Sequence, residues 1–429
     1  MIFAKLAKRV PSGFERLSQI GVMMKAEKKN RVIDWSFFAV FLFAVSAVTL
    51  WLFYQQAIGS PESYHSDMKA YILEMQGLDS GYSFPYPVFF KLSALIDLFF
   101  TPEMAVSLAA MLLNTLAILI TKLSFNYRLL PQMGKHRFSG VILSVLSISL
   151  FFVSMLYPPD GIYLPGIRFR YLGVFTGNPF HNATYIAARP FAILAFLWFV
   201  KLLPVYEEGV KGDKKKWWDY ILFSLFLLLA TMTKPSFTLV LVGTAGVIML
   251  FRMFRSRFHN FLPSVQLGLC FIPTFVDMLY QYKDVFTPEE GMEGGVGFTF
   301  GEIWGEYCAN LPLAICLAVG FPMLVLIFNF KELRGNTLYR LSWQLYLISF
   351  LMAFFLYEKG FRKPDFNFSW GYMYGIFFCH MGALLVLIRS TGEKKKKTLF
   401  LGAQWLAYLC HLLCGLYYFF GIFHGKMYY

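Results

Sequence analysis

The chain has 429 residues, of which 57% are hydrophobic, 19% aromatic and only 15% charged, with a formal net charge of +14. An ordinary soluble domain carries about a quarter of its residues as charged side chains, so this composition excludes that class. Runs of about 20 apolar residues, the length that takes a helix across about 30 Å of hydrocarbon, recur throughout and predict an all-α polytopic membrane protein.

Residues 1–31 read as a basic, partly amphipathic segment on the cytoplasmic surface, carrying Lys5, Lys8, Arg9, Arg16, Lys25, Lys28, Lys29 and Arg31. No small-residue cleavage site precedes the first apolar run, which is therefore expected to stay as an anchor. Residues 32–429 read as one multispanning domain of about eleven spans, each near the crossing length. They fall near 34–55, 103–124, 138–157, 184–204, 217–232, 235–253, 263–281, 308–329, 341–357, 370–389 and 398–421. Basic residues cluster in alternate loops, at Arg128 to Arg137, Lys211 to Lys216, Arg252 to Arg257, Lys331 to Arg340 and Lys394 to Lys397. Such an excess marks the cytoplasmic side, so the N-terminus is expected inside and the C-terminus outside. Orientation and attraction to lipid headgroups then account for the net charge, and nucleic acid is not an expected partner.

The first outer loop runs from about 56 to 102 and contains "SYHSDMKAYILEMQG" at 63–77. Met68, Tyr71, Ile72 and Met75 repeat at helical spacing and form one apolar stripe, which predicts a short amphipathic surface helix with Ser66 as its N-cap and Asp67 at its start. A second amphipathic helix is predicted in "FPYPVFFKLSALIDLFF", entered through Pro85 and Pro87. Thr101 and Pro102 then open the second span, a cap followed by a first-turn proline. Further along, "TMTKPSFTLVLVGTAG" ends one span on Lys234 and opens the next with Pro235.

This succession resembles the opening of the GT-C superfamily of membrane glycosyltransferases: a first span, an outer-loop Asp heading a surface helix, a Gly, an aromatic-Pro entry and a second span. The Lys-Pro junction between two spans is a second likeness. The resemblance implies a catalytic carboxylate in the first outer loop, matched here by Asp67, and a sugar donor carried on polyprenyl phosphate. It covers under a third of the 429-residue chain. Asp67 is flanked by Ser66 and Met68, so the paired-acid form of the motif is missing and a divalent metal stays open.

The residues support the same chemistry without the family. Attack of a hydroxyl on an anomeric carbon needs a base near the acceptor and fixed cations for the departing phosphate. Asp67 is the candidate base, His65 orients or replaces it, and Glu74 is a weaker candidate. The competing reading of Asp67 is a helix-end charge on the macrodipole, worth about 0.3–1 kcal/mol. Candidate phosphate ligands on the same side are Arg168, Arg170, His181, Arg189, Lys234, Arg362 and Lys363. Arg189 lies inside an apolar run before Pro190 and is expected to face a cavity, because an ionisable group at membrane depth is costly otherwise. For the others, snorkelling to headgroups competes with ligand binding.

Cys270, Cys308, Cys316, Cys379, Cys410 and Cys414 have no metal-ligand spacing and read as small core hydrophobes. Asn182-Ala183-Thr184 matches a glycosylation acceptor, a weak motif beside a span. The expected function is transfer of a sugar from a polyprenyl-phosphate carrier to a glycan or lipid-linked acceptor at the outer face of a bacterial plasma membrane. A transporter of lipid-linked sugars and an outer-face polymerase remain as alternatives.

Overall fold

Inside hydrocarbon every backbone N–H and C=O needs a partner within the protein, and helices supply it locally. The computed structural model describes residues 13–59, 63–64, 66–133, 138–156, 175–209, 214–286, 294–308, 310–392 and 398–425. In chain order these form α1 (Gly13–Ile58), α2 (Met68–Met75), α3 (Pro87–Asp97), α4 (Pro102–Met133), α5 (Ser139–Ser149), α6 (Ala183–Leu202), α7 (Lys214–Thr233), α8 (Ser236–Arg255), α9 (Phe261–Leu269) and α10 (Ile272–Phe286). There follow β1 (Val296–Phe298), α11 (Glu302–Gly305), α12 (Leu311–Ala318), α13 (Gly320–Asn329), α14 (Glu332–Gly335), α15 (Thr337–Phe355), β2 (Leu356–Glu358), α16 (Ser369–Gly392) and α17 (Thr398–Phe423).

Among the described residues, seven helices are long and apolar enough to cross a membrane: α1 from Asn30 onward, α4, α6, α8, α15, α16 and α17. The pairs α9–α10 and α12–α13 reach crossing length only together, bent by 51° and 68° respectively. The apolar helices α5 and α7 fall short of it among the described residues. Each predicted span coincides with one of these elements, and the chain is a multi-pass helical protein. The expected boundary near residue 31 is not a break, because α1 runs unbroken from Gly13 through it.

Both helices predicted in the first outer loop are present. On α2 the apolar stripe turns inward, with Met68 and Tyr71 fully buried and Lys69 exposed. Thr101 caps α4 by accepting from the Met104 N–H at 3.4 Å.

Among the described residues the fold departs from all-α at one place. β1 pairs antiparallel with β2, Val296 opposite Glu358, so a two-stranded ribbon stands where α15 gives way to the turn Gly360–Asp365.

The helix α16 is the axis of the bundle, buried along almost its whole length. It touches α15 through small residues: a Cβ on Gly375 would lie 2.0 Å from Ser349 Oγ, and one on Gly382 would lie 2.4 Å from Ser342 Oγ. Without a hydrophobic drive between helices in lipid, such close backbone approach is how dispersion packing is gained. At the bend between α12 and α13, Phe321 N–H donates to His411 Nε2 at 3.0 Å, and the His411 Nδ1 lies 2.6 Å from the Ser154 carbonyl. A side chain from α17 therefore satisfies a backbone group that the bend frees.

The connections sort the bundle into two ends. One gathers α2, α3, the starts of α4, α6 and α16, the junction of α7 with α8, and the ribbon. The other gathers Arg128, Lys201, Arg252, Arg340 and Arg389.

Candidate functional site

The site is assembled from the start of α6 outward. Asn182 has an extended backbone and caps α6, its Oδ1 accepting from the Tyr185 N–H at 2.9 Å. The same oxygen accepts from the Thr184 hydroxyl at 3.0 Å and from Lys234 Nζ at 3.2 Å. With its oxygen so occupied, the amide is oriented and its Nδ2 donates to Asp67 Oδ2 at 2.7 Å. Asn182 is 1% exposed, so the glycosylation reading of Asn182-Ala183-Thr184 is corrected: the acceptor amide is already engaged in the core.

Asp67 occupies the cap position of α2, yet its carboxylate makes no bond to that helix's N–H groups. Ser66 takes that task, its hydroxyl accepting from the Met68 N–H at 3.2 Å. The Asp67 Oδ2 instead accepts from the Tyr71 hydroxyl at 3.0 Å as well as from Asn182. Tyr71 lies 3.0 Å from the Thr184 hydroxyl in turn. No hydrogen bond reaches Oδ1 from the described residues, and Asp67 keeps an exposed surface while protein groups crowd it from below. That recess raises the carboxyl pKa by desolvation, against the pull of Lys234 and of the bonds from Tyr71 and Asn182.

Lys234 ends α7 because Pro235 next to it has no N–H to continue the helix. The sequence reading placed it at the outer surface; it is 6% exposed, bonded to Asn182 and Thr184, with its ammonium 4.7 Å from the Trp370 ring centre. Burial holds its pKa down to about 8, with Asp67 opposing the shift.

Lys234 also lines a cavity of about 330 Å³ between the α7–α8 junction, α10, the ribbon and the start of α16. Leu239, Val240, Met278, Met352, Leu356 and Phe368 make its walls apolar. Its polar end holds Lys234, Glu358, Arg362 and Asn367. Arg362 Nε stands 3.4 Å from Glu358 Oε2 and 3.7 Å from Asp365 Oδ2, and Asn367 Nδ2 donates to Glu358 Oε2 at 2.7 Å. Burial raises the Glu358 carboxyl, and Arg362 draws it back. Through Lys234 and Asn182 the cationic end of the cavity is thus joined to the Asp67 carboxylate.

Of the residues singled out from sequence, Asp67, Lys234 and Arg362 converge on this region. His65, Arg168 and Arg170 lie outside the described residues. His181 is close by, 5.5 Å from the Trp370 ring, with Nδ1 3.3 Å from the Tyr418 hydroxyl. Burial, helped by the Lys234 charge, lowers its pKa to about 3, so it is neutral at ordinary pH and corrects the reading of it as a cation. Arg189 is also corrected. Its guanidinium is wholly buried, bonded to Asn178 and to Asn114 at 2.8 Å, and lies 4.9 Å from the Phe151 ring centre. It knits α6 to α4 and is not among the residues lining the Lys234 cavity; two asparagine oxygens and aromatic faces solvate its terminal nitrogens, while Nε is buried with no hydrogen-bond partner among the described residues. Lys363 points to the surface, paired with Glu302 at 3.0 Å.

Tyr71, Asn182, Thr184, Glu358 and Trp370 were missed as site residues. Tyr71 was read as apolar stripe and Asn182 as a glycosylation acceptor, and Trp370 was not singled out. Only the three-dimensional pairing distinguishes them from those roles. Among the described residues no three His, Cys, Asp or Glu side chains converge as metal ligands. Comparison of the chain with protein-family models, curated proteins and solved structures returns no match.

Proposed function

We propose that the chain is a membrane glycosyltransferase that moves a sugar from a polyprenyl-phosphate carrier to a hydroxyl acceptor at the outer face. The observation that carries this reading is the state of Asp67: released from capping its own helix, one oxygen held by Tyr71 and Asn182, the other without a hydrogen-bond partner among the described residues. A helix-end charge has no need of that support, whereas a general base does, because it must present one lone pair in a fixed direction.

In this reading Asp67 takes the proton of the acceptor hydroxyl as its oxygen attacks the anomeric carbon. The bond from that carbon to the carrier phosphate breaks, and the phosphate leaves with its electron pair towards Lys234 and Arg362. The apolar walls of the cavity suit the first units of a lipid chain, and its polar end suits the phosphate. The resemblance to the GT-C superfamily in the first outer loop and at Lys234-Pro235 supports the donor class.

The test is sugar transfer from a radiolabelled polyprenyl-phosphate sugar by purified protein, with donor binding measured alongside. Asp67→Asn is expected to lower turnover by about 10²–10⁴ and to leave donor binding in place. Transfer within a few-fold of wild type, in a variant of unchanged melting temperature, removes Asp67 from the chemistry. Donor binding by wild type without any transfer moves the reading to a carrier of lipid-linked sugars.

A further inference from the structure

In the reaction proposed above the sugar must lie between the Asp67 carboxylate and the phosphate end of the Lys234 cavity, and two side chains border the cavity there with groups that a phosphate cannot use. We infer that Glu358 and Tyr86 hold hydroxyls of the transferred sugar and that this sugar carries no charge, an assignment that rests on the glycosyltransferase reading.

Glu358 comes from β2 and lines the cavity. Its Oε2 is taken: it accepts from Asn367 Nδ2 at 2.7 Å and faces Arg362 Nε at 3.4 Å. No hydrogen bond from the described residues reaches Oε1. Asn367 is itself held, its Oδ1 accepting from the Trp370 indole N–H at 3.2 Å, so it fixes the Glu358 carboxylate much as Asn182 fixes that of Asp67. An ionised carboxylate only accepts, and a phosphodiester has no proton to give it. A sugar hydroxyl has one.

Tyr86 heads α3 and lines the same cavity, and its hydroxyl makes no hydrogen bond among the described residues. It feels Arg362, Glu358 and Asp67 together, which sets it between the base and the cations. Burial pushes its pKa up to about 12, so it stays a neutral hydroxyl that can both donate and accept. Neither the Glu358 Oε1 nor the Tyr86 oxygen belongs to the polar atoms sealed inside the protein without a partner, so both can be reached from the cavity.

The charge of the sugar follows from the mixture of signs around it. Lys234 feels both Asp67 and Glu358, and Arg362 faces Glu358 and Asp365. A uronic acid would set its carboxylate against Glu358, and an amino sugar would set its ammonium against Lys234 and Arg362. A neutral hydroxyl donates to the carboxylates and accepts from the cations, so it suits both.

The probes are undecaprenyl methyl phosphate, which is a diester without a sugar, the glucosyl, galactosyl and mannosyl diesters of undecaprenyl phosphate, and the three uronic acids that differ from these by oxidation at C6. Binding of each to the full-length protein is measured in neutral detergent. Wild type is expected to bind at least one neutral sugar lipid about tenfold or more tighter than the methyl diester, and the matching uronic acid about tenfold or more weaker than that sugar lipid. Glu358→Gln keeps the shape and removes the charge. The gain from the sugar should fall about tenfold and the uronic acid should lose its handicap, while the methyl diester binds at least as tightly, because Arg362 is released from its carboxylate. Tyr86→Phe keeps the ring and should reduce the gain from the neutral sugar. No gain from any of the three hexoses, equal binding of the uronic acids, an unchanged gain in either variant, or equal weakening of every lipid in Glu358→Gln overturns the assignment. Wild type that binds none of the lipids, the methyl diester included, removes the carrier-phosphate reading along with it, a result distinct from a methyl diester that binds with no gain from a sugar.

Discussion

At Asp67 the decisive feature is which atoms are occupied. Its Oδ2 takes two hydrogen bonds while Lys234 acts from beyond Asn182, so desolvation outweighs stabilisation and the carboxyl titrates above its ordinary value. In the proposed reaction Asp67 acts as the base and must be deprotonated, so transfer should rise with pH through that raised value. Lys234 must be protonated to hold phosphate, so kcat/KM should fall as pH climbs past about 8. Lys234→Arg is expected to remove this descending limb, because a guanidinium stays charged there. Asn182→Asp keeps an N-cap for α6 but sets a carboxylate 2.7 Å from Asp67 Oδ2, where an amide donated before. Its like charge should move the ascending limb upward by about one pH unit or more. A pH–rate profile of the three proteins checks both statements, and an ascending limb unmoved in Asn182→Asp separates Asp67 from the proton transfer.

Among the elements, α16 sets the geometry on which the site depends. Its start carries Trp370 beside Lys234, and its middle is pressed against α15 at Gly375 and Gly382. A methyl on Gly375 meets Ser349 Oγ at 2.0 Å, so Gly375→Ala forces the two helices apart and should cost about 1–3 kcal/mol of stability. Ser349→Ala in the same chain removes the atom that is struck and should recover a large part of the loss. Thermal unfolding of the two single variants and the double variant in detergent gives the coupling. Additive effects would mean that the helices do not touch at this point. The break between α7 and α8 is the second structural device: it leaves a lysine, rather than a closed helix turn, pointing at Asn182.

For the whole molecule, the two ends differ in the kind of charge they hold. Among the described residues, Arg128, Lys201, Arg252, Arg340 and Arg389 stand at one end, while the other end holds few cations, in a bonded network. If the excess of Lys and Arg sets orientation, single cysteines at Asp67 and Glu358 should react with an impermeant reagent from outside intact cells, and one at Arg255 should not. Reaction of Asp67→Cys from the cytoplasm alone would reverse the arrangement. Deep in the bundle, Lys122 is held by Asp34 at 2.8 Å and by the Gly140 carbonyl at 2.7 Å, joining α1, α4 and the start of α5. Lys122→Met leaves the Asp34 carboxylate buried without its cation and should destabilise by about 3–5 kcal/mol, measured by thermal unfolding. A variant that also carries Asp34→Leu should recover much of that.

Hydropathy determined where the apolar segments lie and the two amphipathic helices of the first loop, because burial in lipid or against it is a property of composition and period along the chain. Asp67 was legible because its stripe placed it at a helix start, and Lys234 because a proline follows it. Which segments bend was decided only in three dimensions, as at α12–α13, where His411 from a distant helix supplies the missing partner. The roles of Arg189 and His181 were decided there too. A cation inside an apolar run reads the same whether a phosphate or two asparagines await it, and a histidine reads the same whether water or a tryptophan face surrounds it. Asn182 shows the limit most plainly: its side-chain hydrogen bonds reach Asp67, Thr184, Tyr185 and Lys234, and pairings across 115 and 52 positions leave no trace in local pattern.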